Sequence, residues 1–205
     1  MDSRIQVSPG AGRTRELLLE AASAVLRERG FAGFSTREVA ETAGVPLSQI
    51  HYHFGSKSGL IVALFEYRNA QLLHRQTEMY GNPALTLSQQ WDLACDYLDE
   101  DIRSGYVRIY MELFAGGWSD PAIAQVVKAA AGAWLALLTD VARRAEQRFG
   151  SLGPFSAEDV ATLVGAAFVG GEAFVLIGLE SRKGPIRKAL RKFGAIIAML
   201  EKSGG

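Results

Sequence analysis

Residues 35–60 read STREVAETAGVPLSQIHYHFGSKSGL, a pattern that predicts two short helices joined by a tight turn. Ser35 and Glu38 have the spacing of a capping box at the start of the first helix. Gly44 suits the positive φ of the turn, and Pro46 suits the first turn of the second helix. The unit has the size of a helix-turn-helix, which occurs in DNA-binding proteins and also in purely structural helix pairs.

The second helix of this pair is expected to present one polar face. With Ile50 buried, Phe54 and Leu47 fall on the same side, whereas Tyr52 lies about 200° around the helix. Such a face suits the major groove, where base edges are read by hydrogen bonds and methyl contacts. An ordinary solvated face remains the alternative. The candidate DNA-contacting residues on this helix are Ser48, Gln49, His51 and Tyr52, with His53 beside them.

Two helix starts flank this face and predict contacts to phosphate. Gly55, Ser56 and Lys57 open the third helix of the segment, where free N–H groups, the helix dipole and a lysine converge. Thr36 and Arg37 occupy the first turn of the first helix and are expected to reach the phosphates on the other side of the groove.

Outward from this segment, start and stop signals predict helices along the whole chain, and no period-2 strand pattern appears. We therefore predict an all-α protein of about nine helices, in which Gly81, Asn82 and Pro83 form the expected domain boundary. The predicted helices span 14–29, 35–42, 46–54, 57–77, 86–103, 106–115, 121–149, 157–181 and 185–201.

Composition limits the kinds of partner. The 205 residues include 22 Lys and Arg against 22 Asp and Glu, and residues 1–79 hold nine against eight. A diffuse basic surface is therefore excluded, so a few placed residues must carry any DNA binding. The single Cys95 excludes an internal disulfide and suits a reducing cytoplasm. No signal peptide is expected, and no membrane span, because the most apolar run, 163–179, is short and contains Glu172.

The motifs of the sequence do not indicate an enzyme. The chain has no phosphate-binding glycine loop, no G-x-S-x-G and no H-E-x-x-H. His51 and His53 lie on diverging sides of one helix, which argues against a shared metal ion. No catalytic residue, cofactor or metal is predicted.

Residues 14–65 closely resemble the DNA-binding region of the tetracycline-repressor (TetR) family of transcriptional regulators. The resemblance implies a homodimer that binds a palindromic DNA operator and is released from it by a small molecule. It also implies an N-terminal three-helix DNA-binding domain and a C-terminal helical domain. The expected organisation is then a flexible tail (1–12), a helix-turn-helix domain (13–55), a linking helix (56–80) and a ligand-binding and dimerisation domain (81–205). Two departures concern DNA contacts, since Pro46 replaces the usual Ser or Thr and His51 stands where tyrosine is common. The resemblance rests on Thr36, Val39, Ala40, Ala43, Gly44, Val45, Ile50, Tyr52, His53, Phe54, Lys57 and Leu60.

The C-terminal part carries two further candidate sites. Small residues on the eighth helix predict a close helix contact, either between subunits or within the chain. Aromatic and polar residues predict an apolar ligand cavity, and plain core is the alternative. Without a cavity the C-terminal domain would only dimerise, in a regulator or activator without a ligand. The interface candidates are Gly165, Phe168, Gly170, Ile186, Leu190, Phe193 and Ile197; the ligand candidates are Trp91, Cys95, Tyr106, Tyr110, Met111, Phe114, Trp134, Phe168 and Glu172.

Overall fold

A computed structural model describes residues 9–179 and 184–203, with side chains from residue 12 onward. These residues form nine α-helices and no strand, which confirms the predicted all-α class. The helices are α1 (Pro9–Arg29), α2 (Thr36–Ala43), α3 (Ser48–Phe54), α4 (Lys57–Gly81), α5 (Leu87–Arg103), α6 (Tyr106–Gly116), α7 (Pro121–Phe149), α8 (Ala157–Leu176) and α9 (Pro185–Ser203).

Several helix ends follow the side-chain signals closely. The hydroxyl of Ser56 accepts a hydrogen bond from the backbone N–H of Gly59 at the start of α4. Complete capping boxes open α5, at Thr86, and α8, at Ser156. Asp120 caps α7 ahead of a proline in the first turn. Each cap satisfies N–H groups that have no partner within the helix, which explains why these starts were predictable.

Other predicted ends are corrected. Helix α1 begins at Pro9, so residues 9–12 are helical rather than part of a tail, and residues 1–8 lie outside the described range. Ser35 precedes α2 without a side-chain cap, and the carboxylate of Glu38, expected to bond to the Ser35 N–H, pairs with Arg29 instead, at 2.8 Å. Helix α8 stops at Leu176 rather than Ser181, with Gly178 in the left-handed region just beyond it.

Two clusters of buried side chains form the interior. The first joins α1–α4 to parts of α6 and α7, and the second lies among α4, α5, α7, α8 and α9. Helix α4 belongs to both, since its Leu60 and Phe65 are buried in the first cluster and its Met79 and Tyr80 in the second. One continuous helix of 25 residues therefore connects the two halves of the molecule.

Helices α7 and α8 leave much apolar surface uncovered. Each contains an 18-residue stretch, of mean hydropathy 1.5 and 1.6 respectively, that is long and apolar enough to cross a bilayer by length and composition alone. Fewer than a quarter of the residues in either stretch are buried. In the single chain, the apolar faces of α7 and α8 are therefore largely exposed.

Candidate nucleic-acid interface and ligand cavity

The turn between α2 and α3 is closed by backbone geometry. Gly44 has φ of 66°, and its N–H bonds to the carbonyls of Ala40 and Glu41. The N–H of Val45 also bonds to the Ala40 carbonyl, at 3.0 Å. A residue with a Cβ disfavours this left-handed conformation, which is why glycine suits the turn.

Helix α3 buries one side and exposes the other, as its helical phase predicts. Ile50 is fully buried, while Tyr52 is 75% exposed. The Tyr52 ring lies edge-on to that of His53, with centroids 4.9 Å apart. Ser48 is exposed beside it and Gln49 half-buried. Leu47 was expected on the buried side but is exposed. Helix α3 begins at Ser48, two residues later than predicted, and Leu47 lies in the turn before it.

The two histidines of α3 differ in their surroundings. His51 is exposed, and its Nδ1 lies 3.3 Å from the carbonyl oxygen of Gly55. His53 is half-buried, and its Nε2 is buried without a hydrogen-bond partner among the described residues. His51 therefore keeps its Nε2 edge toward solvent, on the side of α3 that carries Tyr52.

Lys57 occupies a position between two helix starts. Its ammonium donates a 2.6 Å hydrogen bond to the carbonyl of Phe34, just before α2, and lies 5.7 Å from the centre of the Phe34 ring. An ammonium has three donors, so two remain for a phosphate. The sequence predicted the phosphate role alone; the structure adds that Lys57 ties α4 to the segment preceding α2.

Two arginines lie at the edges of this surface. Arg37 is exposed in the first turn of α2 and pairs with Glu41 at 3.4 Å, a surface pair that a phosphate can displace at little cost. Arg15 of α1 lies over the ring of Phe54, 5.6 Å from its centre. No sequence pattern indicated Arg15, because its place at the end of α3 depends on how α1 packs.

Gly59 permits the close contact between α3 and α4. A Cβ at this position would lie 2.0 Å from the carbonyl oxygen of Phe54. The start of α4 therefore approaches the end of α3 more closely than any side-chain-bearing residue allows. Nothing in the sequence distinguishes Gly59 from an ordinary helix glycine.

The C-terminal half contains a narrow cavity of about 50 Å³ between α4, α5, α6, α7 and α8. A volume of this size holds only a few water molecules. Five of the nine predicted ligand residues line it, namely Tyr106, Tyr110, Trp134, Phe168 and Glu172. Helix α4 contributes Asn69, Leu72 and Gln76, which the sequence analysis missed although they are three to seven residues apart on one helix face.

The other four predicted ligand residues lie elsewhere. Trp91 donates from its indole N–H to the carbonyl of Leu190 and thus holds α5 against α9. Cys95 is buried near α9, where burial raises the pKa of its thiol to about 11. Met111 and Phe114 lie on α6 away from the cavity, and Phe114 is largely exposed. The aromatic content of the sequence predicted a single cluster around a ligand. The positions of these four residues on their helices place them in other contacts.

Most polar groups of the cavity already have partners. The hydroxyl of Tyr106 donates to Asn69 at 2.8 Å, and the indole N–H of Trp134 donates to Gln76 at 2.8 Å. The rings of Tyr106 and Tyr110 are stacked, with centroids 6.4 Å apart. These bonds fix the aromatic wall in place.

Two carboxyl groups border the cavity and differ in their partners. Asp101 accepts two hydrogen bonds from Arg75, at 2.8 and 2.9 Å, yet its burial raises its pKa to about 6. Glu172 has no hydrogen-bond or ion-pair partner among the residues that the structure describes. Burial, together with the nearby charge of Asp101, raises the pKa of Glu172 to about 8.

Comparison with known proteins relates the N-terminal region to one family. A family model described as bacterial regulatory proteins, tetR family, matches residues 18–64, which include α2, α3 and the start of α4. This region of the chain is therefore similar to the DNA-binding region of that family.

A curated relative, the HTH-type transcriptional regulator CymR of Pseudomonas putida, is 32% identical over 122 residues. The match covers 58% of each chain, and other curated relatives are matched over smaller shares of their length. These TetR-family relatives are transcriptional regulators rather than enzymes.

Solved structures share the fold over nearly the whole chain. A transcriptional regulator from Saccharomonospora viridis, in complex with choline, has a TM-score of 0.71 at 19% identity, over 89% of this chain and 95% of that one. FadR from Bacillus subtilis, in complex with stearoyl-CoA, has a TM-score of 0.67 at 16% identity, over 93% and 98%. At such identities the likeness shows a shared fold.

Several residues predicted for a subunit interface make contacts within the chain. A Cβ on Gly165 would lie 3.0 Å from the Leu135 side chain, so the small residue serves the contact of α8 with α7. Phe168 and Leu190 are buried in the second core cluster, and Ile186 packs against Gly171. Packing within the chain, the alternative left open by the sequence, accounts for these small and apolar residues.

The remaining three interface candidates, Gly170, Phe193 and Ile197, are not fully covered within the chain. Gly170 has open space where a Cβ would be, and Phe193 is exposed. Ile197 is half-buried and borders a 440 Å³ groove between α5, α7, α8 and α9. Exposed apolar residues that the sequence analysis did not list extend this surface, namely Leu163, Phe174, Ile177, Ile196, Met199 and Leu200.

Proposed function

We propose that this chain is a DNA-binding transcriptional repressor that binds a palindromic operator as a homodimer and is released by a small, mostly apolar ligand. The observation that carries the DNA-binding part is the exposed Tyr52 face of α3, flanked by the starts of α2 and α4. Tyr52 would contact base edges, and Lys57, Thr36 and Arg37 would contact phosphates. Such a regulator acts in the cytoplasm, which its one buried cysteine suits.

A dimer is supported by two arguments. One α3 of seven residues with few basic neighbours offers too little contact for tight binding, so two half-sites must be engaged together. The uncovered apolar residues of α8 and α9 provide a surface for a second copy, with Gly170 at its centre allowing close approach. Covering this surface with an identical chain also accounts for the apolar character of α8 without a membrane.

Ligand control is supported by the cavity and by α4. Two proteins of the same fold contain choline and stearoyl-CoA, respectively, so this fold accommodates small molecules of different size. Helix α4 lines the cavity with Asn69 and Gln76 and begins at Lys57 beside the DNA-binding face. A ligand that shifts the cavity end of α4 would therefore move its other end and misplace two recognition helices at once.

A second candidate function is favoured by the small volume of the cavity. If its 50 Å³ hold only water, the C-terminal half serves dimerisation alone, and the chain regulates without a ligand. The two candidates share the DNA-binding part and differ in whether any small molecule changes the affinity for the operator.

The experiment that tests the shared part is selection from random duplex DNA with the full-length protein. We expect enrichment of a two-fold symmetric sequence whose half-sites are separated by about one helical turn or a multiple of it. Failure to enrich any sequence, with the protein folded and dimeric, would contradict the proposed function.

The selected operator then allows a test of individual contacts. Tyr52→Ala is expected to weaken operator binding more than binding to random DNA, since it removes a base contact. Lys57→Ala is expected to weaken both and to reduce the salt dependence by about one unit of slope per subunit. Affinity is measured by fluorescence anisotropy at several salt concentrations.

Trp118→Ala provides the matched control, because Trp118 is 80% exposed but lies beyond α6, away from α3. It is expected to leave operator affinity unchanged. Equal affinities for the wild type and both DNA-face variants, with unchanged thermal midpoints, would refute these contacts.

The dimer surface is tested by Leu163→Asp. Leu163 is 57% exposed in the single chain, so the aspartate is harmless to the fold but unfavourable in an apolar interface. Sedimentation is expected to show a monomer at micromolar concentration, with operator affinity reduced at least tenfold. Trp118→Asp, the same kind of change outside α8 and α9, is expected to remain a dimer. A dimeric Leu163→Asp variant would place the interface elsewhere.

A further inference from the structure

We propose that the ligand of the cavity is an organic cation, whose ammonium group pairs with Glu172 between the aromatic side chains of Tyr106, Tyr110 and Trp134. This inference rests on the proposed ligand control and specifies its chemistry. The proposed ligand is thus an amine with an apolar chain rather than a purely apolar molecule.

The first argument is the balance of charge around the cavity. Asp101 and Glu172 are the two carboxyl groups that line it, and no lysine, arginine or histidine among the described residues does. Arg75, in the neighbouring cleft, holds Asp101 and Glu100 through its two terminal nitrogens and lies over the Tyr97 ring at 4.0 Å. Asp101 thus has a cationic partner, whereas Glu172 has none among the described residues. A buried charge of this kind is costly unless a partner of opposite sign is supplied.

The second argument is the chemical character of the aromatic wall that Tyr106, Tyr110 and Trp134 form. Tyr106 and Trp134 direct their hydroxyl and N–H groups to Asn69 and Gln76, so these donors are not free for an anionic ligand. Aromatic rings attract cations electrostatically, and the attraction strengthens where water is excluded. The remaining donors of the lining, the Tyr110 hydroxyl and the amide NH₂ groups of Asn69 and Gln76, are neutral. Beside two carboxyl groups, such a wall favours a cation over an anion.

The third argument is size and access. An ammonium group is about as large as a water molecule, so it fits the 50 Å³ cavity as it stands. An adjoining cleft of about 200 Å³ shares Leu72, Asp101 and Tyr106 with the cavity. Bound through its ammonium, a primary amine would extend its alkyl chain between the apolar lining residues towards this cleft.

The charge on Glu172 makes the binding depend on pH. The groups that face it are Asp101 from α5, with its partner Arg75 on α4, and Tyr106 and Tyr110 from α6. Burial raises the pKa of both tyrosines, which stay neutral, and Asp101 is ionised above about pH 6. Glu172 is therefore the group that titrates between pH 6.5 and about 8, while an alkylamine stays charged up to about pH 10.

The experiment uses the full-length protein and three probes of equal chain length, hexylammonium, 1-hexanol and hexanoate, in titration calorimetry at pH 8.5. Hexylammonium is expected to bind tightest, and its affinity is expected to rise by about tenfold from pH 6.5 to pH 8.5. Glu172→Gln keeps the shape of the side chain and is expected to weaken hexylammonium binding at least tenfold, leaving 1-hexanol unaffected. Glu158→Gln, which alters an exposed carboxylate of the same helix outside the cavity and the cleft, is the control and should bind like the wild type.

The proposal is overturned if hexylammonium does not bind, if 1-hexanol or hexanoate binds as tightly, or if Glu172→Gln retains the wild-type affinity while its thermal midpoint shows that it is folded. Operator release is measured separately with the same probes. An amine that binds through Glu172 but leaves operator affinity unchanged supports the ligand class and contradicts ligand control. Binding of 1-hexanol alone, with operator release, supports ligand control and contradicts the cation.

Discussion

Gly59→Ala is expected to destabilise the N-terminal domain by about 3 kcal/mol or more and to abolish operator binding. The added Cβ would lie 2.0 Å from the Phe54 carbonyl oxygen, a backbone atom that cannot move without displacing α3 or α4. Either displacement changes the position of Tyr52 relative to Lys57. Thermal unfolding followed by circular dichroism and operator titration both report the effect.

Gly132→Ala is the matched control for this substitution. Gly132 lies on the exposed side of α7 with nothing within 4 Å of an added Cβ, so alanine there is expected to stabilise the helix by about 0.5–1 kcal/mol. Wild-type stability and operator affinity in Gly59→Ala would show that α3 and α4 do not approach as closely as described.

Arg75→Met is expected to be the most destabilising change in the C-terminal half at neutral pH, by about 3 kcal/mol. Methionine retains much of the apolar packing, but Asp101 is left buried without its cation. Since burial already raises the pKa of Asp101 to about 6, its folded form holds a proton more tightly than the unfolded chain does. Stability is therefore expected to fall as pH rises from about 4 through the folded pKa, more steeply in the variant because its pKa is higher still.

Denaturant unfolding at pH 5 and pH 8 measures this effect. Adding Asp101→Asn to Arg75→Met is expected to restore most of the loss at pH 8, because the buried charge is removed. Arg143→Met removes an exposed pair with Glu158 and is expected to change little at either pH. A loss that is equal at both pH values would show that packing, rather than charge, explains the role of Arg75.

Much of the fold was predictable because its determinants are local. The all-α class and most helix ends follow from caps and glycines whose partners lie within four residues, as at Ser56 and Thr86. The carboxylate half of the capping box predicted at Ser35 and Glu38 is absent for a non-local reason, since Glu38 is held by Arg29 of another helix. No local pattern indicates such competition.

The candidate site was predictable where helical phase alone decides exposure. The burial of Ile50 and the exposure of Tyr52 follow from 100° per residue. The cavity was only partly predictable, because which aromatic residues face one another depends on how five helices pack. Trp91 and Cys95 were assigned to it by composition, whereas Asn69 and Asp101 line it through packing. The glycines of α8 likewise proved ambiguous between a contact inside the chain and one between chains.

Helix α4 is about 37 Å long, so its start beside α3 lies far from its cavity-lining end. None of the residues of α3 lines the cavity, and the α4 residues that do begin at Asn69, twelve positions after Lys57. In the proposed regulator, substitutions at the far end would therefore change the recognised molecule while the recognised DNA sequence stays the same. After gene duplication, two copies could come to respond to different chemicals at one promoter. An engineer can use the same separation to build biosensors that share a single reporter.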